Sequence, residues 1–283
     1  MSPGRPGRVP PAAASAWTDR GALREQYASP AGLATRVQLY RYLEDDSALA
    51  GTTWEAWVLD HADWSGAEVA LDVGCGPGAY EPALARRART VVGLDLSPGM
   101  LARPDARRRA GLGVADAQDL PVRDGGVDVL LAAHMLYHVP DIGRALTEAR
   151  RALRPGGTAL LVANGADDKR EARELWAEVA EEVHGSDGGV SAWTGRFDVD
   201  TGRDAVAAVF GHTDVDVLRG EFRFPSPEPV LAWVESFRAG TGATFGRDGW
   251  DAVTAELRRR LTSHIARHGH FSTRKSSGVI TAH

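Results

Sequence analysis

Between residues 69 and 163 the chain alternates short aliphatic runs with segments of helical periodicity, and five such runs follow one another. Each run is long enough for a buried strand and shorter than a typical helix. Strands that alternate with helices form a parallel sheet covered on both faces, because each crossover returns the chain to the same end of the sheet. The pattern predicts an α/β fold with strands at residues 69–73, 90–95, 112–116, 127–133 and 158–163.

Beyond residue 163 the regular alternation ends. The spacing of apolar residues predicts helices at 169–184, 204–210, 227–238 and 248–268, and further strands at 215–224 and 272–282. The two added strands bring the predicted sheet to seven. The helix before the fifth strand has Asp141 as its N-cap and ends at Arg154-Pro-Gly-Gly157. The helix at 169–184 is amphipathic, and its predicted inward face consists of Leu175, Trp176, Val179 and Val183.

These patterns divide the chain into three regions. Residues 1–18 are rich in Pro, Gly, Ala and Arg and have too few large apolar side chains to offset the entropy of ordering, so we expect a disordered tail. Residues 19–66 carry apolar side chains at helical spacing and predict N-terminal cap helices. Residues 67–283 contain the sheet, with helical insertions after the fifth and sixth strands.

Composition limits the partners and the setting that we expect. A net charge of -5 gives no general attraction to nucleic acid or anionic lipid. The apolar runs are well short of the roughly 20 residues that a membrane-spanning helix needs. Cys75 is the only cysteine, and no charged-then-apolar leader is evident. We therefore expect a cytoplasmic protein with a small-molecule partner, no nucleic acid and no membrane, while the oligomeric state is not predicted.

The carboxyl ends of the first three predicted strands indicate a binding site, because ligands of open α/β sheets bind there. The first strand runs into Asp72-Val-Gly-Cys-Gly-Pro-Gly78, whose glycines let the backbone approach a ligand closely. Asp95 follows about twenty residues after this loop, where a carboxylate can bind both hydroxyls of a ribose. Asp116, beside Ala117, could accept a hydrogen bond from an exocyclic amine. The three strand ends together predict a nucleoside site.

Five motifs lie in order between residues 71 and 157. They are Leu71-Asp-Val-Gly-Cys-Gly-Pro-Gly78, Gly93-Leu-Asp-Leu-Ser-Pro-Gly-Met100, Ala115-Asp-Ala-Gln-Asp-Leu-Pro121, His134-Met-Leu-Tyr-His-Val-Pro-Asp141 and Leu153-Arg-Pro-Gly-Gly157. In order and spacing they resemble the motifs of class I S-adenosylmethionine-dependent methyltransferases, specifically the small-molecule group called type 11. The resemblance implies a Rossmann-like fold with a seven-stranded, mostly parallel sheet and a helical cap, in which the last strand lies antiparallel between the fifth and the sixth.

The resemblance also implies S-adenosylmethionine as the cofactor and assigns residues to its parts. Asp72 and the loop glycines Gly74, Gly76 and Gly78 would meet the methionine end. Asp95 would bind the ribose, and the adenine would lie near Leu96 and Met100, with Asp116 and Ala117 at its edge. Arg36 in the cap could pair with the methionine carboxylate, and Ala133 at the end of the fourth strand completes the predicted cofactor-binding set.

Two histidines just after the fourth predicted strand are candidates for a general base. Relatives place residues near the transferred methyl group at this point, and a neutral histidine can accept a proton near pH 7. We expect His138 or His134 to act in this way, with an ionisation at about pH 6 to 7 and with Tyr137 orienting the acceptor. Asn164 could position an acceptor but not deprotonate it. A packing role for each histidine stays open, because positioning alone can supply most of the catalysis.

Several other functions fit part of the sequence. Nicotinamide and flavin oxidoreductases also use a glycine turn and an acidic residue, but with Gly-x-Gly-x-x-Gly rather than the Gly-x-Gly-x-Gly present here. A noncatalytic cofactor-binding protein and an enzyme that methylates protein or RNA are further alternatives. No metal site is expected, because His264 and His268 have no other suitable ligands beside them.

The acceptor itself is not encoded in any motif. Aromatic residues in the second half of the chain would suit a large, partly apolar molecule, which favours specialised metabolism. The predicted pocket residues are Trp176, Trp193, Phe197, Phe224 and Trp233. Whether oxygen, nitrogen or carbon is methylated is not predicted.

Overall fold

Seven strands form one sheet in the computed structural model, which describes residues 18–44, 49, 51–102, 110–190 and 196–283. The strands are β1 (Val69–Val73), β2 (Thr90–Asp95), β3 (Ala110–Val114), β4 (Val127–Ala133), β5 (Leu153–Asn164), β6 (Thr213–Phe224) and β7 (Phe271–Ala282). Their order across the sheet is β3-β2-β1-β4-β5-β7-β6. The first five pair in parallel, and β7 pairs antiparallel with β5 and β6. The predicted fold and the predicted place of the last strand are confirmed.

Helices precede the sheet, cover it and follow its fifth and sixth strands. They are α1 (Arg20–Gln26), α2 (Ala31–Gln38), α3 (Trp54–Leu59), α4 (Glu81–Leu84), α5 (Pro98–Leu101), α6 (Ile142–Ala152), α7 (Arg170–His184), α8 (Val199–Phe210), α9 (Glu228–Glu235) and α10 (Arg238–His268). Among the described residues, Leu39–Tyr42 and Leu136–His138 form 3₁₀ turns. Within the described ranges, none of the helices has the length and apolar content that a bilayer crossing requires.

The central strands are buried on both faces. In β4, Leu130 packs in one apolar layer with Leu146 of α6, and Leu131 packs in the opposite layer with Val58 of α3. Neither leucine has exposed surface. A strand that is enclosed in this way needs consecutive aliphatic residues, which is the pattern that identified it in the sequence. Burial of each such leucine contributes about 1.5 to 3 kcal/mol to stability.

The N-cap predicted for α6 is confirmed. The Asp141 carboxylate accepts a hydrogen bond from the Arg144 amide at 3.0 Å. The helix buries the face formed by Ala145, Leu146 and Ala149. The N-cap thus determines where this helix starts, and the apolar face determines how it is oriented on the sheet.

Several predicted boundaries differ from the structure, the largest shift being at α10, which begins at Arg238 and not at residue 248. β3 ends at Val114, so Asp116 lies in the turn that follows the strand and not at the strand end. β5 begins at Leu153, because Leu153 already pairs with Val127 before a shift of register. α8 begins at Val199 because the Asp198 carboxylate accepts hydrogen bonds from the next amides, at 2.9 and 2.7 Å.

Two aromatic residues predicted to line a ligand pocket belong instead to a separate apolar core. Trp176 and Phe224 are each 1% exposed and pack with Trp250 among α7, α9 and α10. Val183 was predicted to face inward, but it is 40% exposed, as part of the exposed end of α7 at residues 181–185. The predicted tail up to residue 17 and Trp193 lie outside the described residues.

Asp128 joins three segments at the amino end of the parallel strands. One of its carboxylate oxygens accepts from the amides of Glu68 and Val69, at 3.1 and 2.8 Å, and the other accepts from Arg154. Removing the carboxylate leaves both amides without this acceptor. The start of β1 is therefore tied to β4 and β5 by one side chain.

We expect Asp128→Ala to lower the free energy of unfolding by about 1 to 3 kcal/mol, and Asp128→Asn, which keeps one acceptor oxygen, to lower it less. Urea denaturation at neutral pH measures both changes. Asp214→Ala removes an exposed carboxylate on β6 and should leave stability nearly unchanged. Equal stabilities for Asp128→Ala and Asp214→Ala would contradict the role of Asp128.

Candidate active site

A cavity of about 600 Å³ opens where the parallel strands end. One part is lined by the residues after β1, β2 and β3, and the other by aromatic and polar residues from β4, β5 and the surrounding helices. The first part includes Asp72, Gly74, Gly76, Asp95, Leu96, Met100, Asp116 and Ala117. The second includes Trp54, Ala133, His134, Tyr137, His138, Asn164, Phe197, Trp233 and Phe237.

Nearly every predicted site residue therefore lies on one cavity, and Gly78 is the exception. Gly78 has a φ of 82° and donates its N–H to the Cys75 carbonyl at 2.9 Å, which turns the chain away towards α4. Gly74 has a φ of 69°, and a Cβ there would lie 2.7 Å from the Met135 side chain. Glycine is needed at Gly74 by both backbone conformation and space. Gly78 thus forms the turn behind the loop, and its contact with a ligand stays a prediction.

Asp95 organises the loop between β1 and α4. One carboxylate oxygen accepts from the Gly76 amide at 2.9 Å, and the other accepts from the Ser97 amide at 2.8 Å. Burial raises the pKa of Asp95, and these two amide hydrogen bonds work in the opposite direction. A carboxylate has further lone pairs on both oxygens, so it can still accept from a diol.

Asp116 is held by two residues that the sequence reasoning missed. Its carboxylate accepts from the Gln118 amide at 2.9 Å and forms an ion pair with Arg20 of α1. Burial acts to raise the pKa of Asp116, but the hydrogen bonds from Gln118 and the charge of Arg20 hold it below its usual value. Arg20 carries no sequence signal that separates it from the many other arginines.

The helices before the sheet close this part of the cavity through close backbone contacts. The Ser97 hydroxyl donates to the Tyr27 carbonyl at 2.9 Å. A Cβ on Gly99 would lie 2.2 Å from the Ala28 carbonyl oxygen, so only glycine permits this approach of α5 to the segment after α1. The cap is thus fixed to the same loop that Asp95 orders.

Arg36 lines the cavity but is bound to protein groups. Its guanidinium donates to the Ser236 hydroxyl at 3.0 Å, to the Ser236 carbonyl at 2.8 Å and to the Tyr27 hydroxyl at 3.2 Å. It also lies over the Phe237 ring, 3.9 Å from the ring centre. Ser236 and Phe237 were not recognised in the sequence, because about 200 residues separate them from Arg36.

His138 contacts the cap through Tyr27. The Tyr27 hydroxyl lies 2.9 Å from His138 Nε2, and the two rings pack edge to face. Because the guanidinium of Arg36 can only donate, the hydroxyl accepts from Arg36 and can direct its own proton to Nε2. In that arrangement Nε2 is the acceptor and His138 is neutral. The cap therefore orients His138.

His134 has a different environment. Burial lowers its pKa to about 3, assisted by the positive charges of Lys275 and Lys169 and opposed by Asp168. The sequence predicted an ionisation at about pH 6 to 7 for either histidine, and the structure does not support that for His134. Its φ of 54° lies in the left-handed region, which is uncommon for a residue other than glycine.

Tyr137 and Asn164 complete the wall near the histidines. Burial raises the pKa of Tyr137, so its phenol stays protonated at neutral pH. The Asn164 side-chain oxygen accepts from the Ser277 hydroxyl of β7 at 2.6 Å, which leaves its amide NH₂ as the donor. Both groups can position an acceptor without exchanging a proton with it.

The polar groups that line the first part of the cavity suit S-adenosylmethionine. Three carboxylates, Asp72, Asp95 and Asp116, line it and match an ammonium group, a ribose diol and an exocyclic amine. Buried Met100 and Ala117 supply an apolar surface for a base. Among the described residues there is no group of three or more His, Cys, Asp or Glu side chains that could hold a metal ion.

Comparison with known proteins agrees with this geometry. Residues 71–161 match the family model described as "Methyltransferase domain". The chain is 29% identical over 221 residues to a malonyl-[acyl-carrier protein] O-methyltransferase of Serratia marcescens, covering 75% of this chain and 80% of the relative. It is 36% identical over 126 residues to an uncharacterized methyltransferase of Mycobacterium sp. (strain JLS), covering 44% of this chain and 49% of that relative. The chain thus spans about half the length of the second relative.

A solved structure has the same fold. The structure of a candidate methyltransferase from Bacillus halodurans C-125 aligns with a TM-score of 0.56 and 19% identity, covering 81% of this chain and 97% of that one. The motif order, the sheet topology and the family match of residues 71–161 together support a class I S-adenosylmethionine-dependent methyltransferase.

The low pKa of His134 predicts how stability depends on pH. The folded protein keeps His134 neutral down to about 3, whereas an unfolded histidine titrates near 6.5. Between these values the unfolded state binds the extra proton, so the contribution to stability is complete above pH 6.5 and is lost as the pH falls towards 3. His134→Asn cannot titrate, and asparagine tolerates a positive φ.

Between neutral pH and about pH 4.5, the free energy of unfolding of His134→Asn should fall by about 2 kcal/mol less than that of the wild type. Urea denaturation at the two pH values measures the difference. His212→Asn, at an exposed histidine, is the matched control and should follow the wild type. Parallel curves for all three proteins would show that His134 titrates normally.

Proposed function

We propose that the chain transfers the methyl group of S-adenosylmethionine to a small-molecule acceptor with a large, partly apolar body. One observation carries the proposal: a single cavity is lined both by the carboxylates that suit the cofactor and by an aromatic wall. Cofactor and acceptor can therefore meet in one enclosed space. The size of the cavity, about 600 Å³, fits a small molecule rather than a folded protein domain.

The cofactor roles that the motifs imply are part of this proposal. Asp95 binds the ribose hydroxyls, and Asp116 with Ala117 meets the adenine edge, with Arg20 shifting within its ion pair. Asp72, Gly74 and Gly76 face the methionine end. Leu96, Met100 and Ala133 pack against the cofactor, and Arg36 binds the methionine carboxylate through the guanidinium that now holds Ser236.

S-adenosylmethionine supplies a methyl group on a sulfonium ion, and the chain supplies alignment and exclusion of water. The helices α1, α2 and α3, acting as a cap, cover the cavity from one side and hold the acceptor in line with the methyl group. Tyr137 and Asn164 orient the acceptor. Tyr27 holds the imidazole in place until the acceptor binds. Where the acceptor needs deprotonation, it displaces the Tyr27 hydroxyl from Nε2, and His138 accepts the proton there. His134 has too low a pKa to share that role and shapes the cavity instead.

The aromatic wall supports an acceptor from specialised metabolism. The aromatic side chains Trp54, Tyr137, Phe197, Trp233 and Phe237 line the cavity, and of these Trp54 and Tyr137 keep the most exposed surface. Release of S-adenosylhomocysteine on incubation with panels of aromatic and polyketide-like molecules tests this proposal directly. Turnover of a protein or RNA but of no small molecule would contradict it.

Asp95 tests the cofactor assignment. Loss of its charge-assisted hydrogen bonds should weaken S-adenosylhomocysteine binding more than tenfold in Asp95→Ala, about 1.5 to 3 kcal/mol. Asp95→Asn keeps an acceptor for the Gly76 amide and should bind with intermediate affinity. Calorimetry measures the affinities, with Asp214→Ala as the exposed control and nicotinamide dinucleotide as the ligand that should not bind. An unchanged affinity in Asp95→Ala would remove Asp95 from the site.

His138 and Tyr27 test the proton acceptor. With an acceptor found in the panel, His138→Gln should lower the single-turnover rate by about 10² to 10⁴ if His138 is the base, with cofactor affinity unchanged. Tyr27→Phe keeps the ring and loses only the hydroxyl contact, so it should lower the rate by about tenfold. Wild-type rates in His138→Gln between pH 5 and 9 would mean that the acceptor loses its proton without a base.

A further inference from the structure

Both lysines of the chain lie at one place beside the cavity. Of 33 basic residues, only Lys169 and Lys275 are lysines, and the others are arginines. They are 9% and 5% exposed. A buried ammonium group is a compact charge whose protonation can change, whereas guanidinium remains charged. The use of lysine at these two positions indicates a local chemical requirement.

Asp168 lies between the two lysines. It is 4% exposed, and its carboxylate accepts from Lys169 Nζ and from the Ser276 amide, the latter at 2.9 Å. Both lysines act electrostatically on it and hold its pKa below the usual value, against the effect of burial. We call Asp168, Lys169 and Lys275 the lysine recess. Asp168 and Lys169 line the cavity directly.

Lys275 has no partner of its own. Its Nζ is fully enclosed and has no hydrogen-bond partner among the described residues. It lies 5.4 Å from the ring centre of Tyr40 and 5.3 Å from that of Trp54, and both rings line the cavity. A buried ammonium group without a partner is costly, because water no longer solvates it. The two rings lie between this amine and the cavity, so a ligand reaches it only where they move aside.

The three side chains of the lysine recess leave one positive charge in excess when both amines are protonated. Arg173 and Glu55, which also line the cavity, carry opposite charges. Burial raises the pKa of Tyr40 and lowers that of His134, so both are neutral. Burial also lowers the pKa of Lys275, and Asp168 partly offsets this.

The backbone at the recess is held in an uncommon conformation. Lys169 has a φ of 52°, and within the described ranges only His134 shares the left-handed region among residues other than glycine. Both residues line the cavity. Such strain persists where the surroundings force it, and it concentrates at binding and catalytic sites.

We propose that the lysine recess binds a carboxylate group of the methyl acceptor. The proposal rests on the methyl transfer proposed above and specifies the acceptor's chemistry. A carboxylate carries one negative charge, which matches the excess. One of its oxygens can accept from Lys169, which lines the cavity, and the other from Lys275 once the Tyr40 and Trp54 rings move aside. It provides Lys275 with the partner that the protein lacks. The aromatic wall then holds the apolar body of the same molecule.

Because the chain contains two lysines, NMR of labelled lysine side chains reports directly on the lysine recess. Selective labelling of lysine with ¹⁵N and ¹³C yields side-chain NMR signals from two residues, which Lys275→Met assigns. The wild-type protein, saturated with S-adenosylhomocysteine, is titrated with phenylacetate and separately with phenylacetamide, which has nearly the same shape and no charge. Phenylacetate should shift both lysine signals in a saturable way, and phenylacetamide should shift neither.

Substitutions separate charge from packing. Lys275→Met keeps the length of the side chain, and Lys169→Asn suits a positive φ, so each removes an amine with little strain. Each should weaken phenylacetate binding about tenfold or more. Asp168→Asn removes the competing negative charge, keeps an acceptor for the Ser276 amide and should strengthen binding. Arg203→Met removes an exposed charge on α8 and should have no effect.

Two results would overturn the proposal. Equal shifts with phenylacetate and phenylacetamide would mean that the recess does not recognise charge. Lysine signals that do not shift with phenylacetate would mean that the recess does not bind the carboxylate. Weaker phenylacetate binding in Asp168→Asn would likewise contradict it. Failure of S-adenosylhomocysteine to bind the wild type would overturn the proposed function instead, so the two failures are distinguishable.

Discussion

The enclosure of β1, β4 and β5 between two apolar layers determines where the site residues lie. Consecutive leucines such as Leu130 and Leu131 of β4 face opposite layers, and neither has exposed surface. With both faces covered, the strand ends are the place where polar side chains can reach a ligand. Asp72, Asp95, His134 and Asn164 lie at or just beside such ends, and all four line the cavity. The hydrophobic effect thus brings them together although they are far apart in sequence.

The same burial sets the electrostatics of the cavity. The pKa of His134 falls to about 3, that of Lys275 falls and that of Tyr137 rises, so each group is driven towards its neutral form. A weakly polar space of this kind strengthens any charge interaction inside it. Carboxylates persist there only where amides or cations hold them, as the Gly76 and Ser97 amides hold Asp95.

The cap connects the two parts of the cavity. The segment around Tyr27 contacts the cofactor side through Ser97 and the proposed acceptor side through His138. Arg36 then links Tyr27 to Ser236, which lies between α9 and α10. A movement of α1 and α2 would therefore alter the ordered loop and the orientation of His138 together. These contacts join residues from opposite ends of the chain.

The five strands of the alternating region and the glycine loop were predictable from sequence because they depend on local patterns. β1, β2 and β4 match their predicted bounds, since a buried strand needs a run of aliphatic residues. The motifs likewise identified the carboxylates at the strand ends. Helix and strand boundaries were less well predicted where the first turn is polar, as at α8, or where pairing continues past a glycine pair, as in β5.

Tertiary structure alone decided which residues meet from distant parts of the chain. The ion pair of Arg20 with Asp116, the contact of Tyr27 with His138 and the place of Lys275 beside Asp168 all depend on how the cap and β7 pack on the sheet. No local pattern distinguishes Arg20 from other arginines or a buried lysine from an exposed one. Aromatic residues show the same limit, because Trp176 and Trp233 pack in the same apolar core and Trp233 also lines the cavity. Periodicity determines which side of a helix is apolar, whereas packing determines what that side contacts.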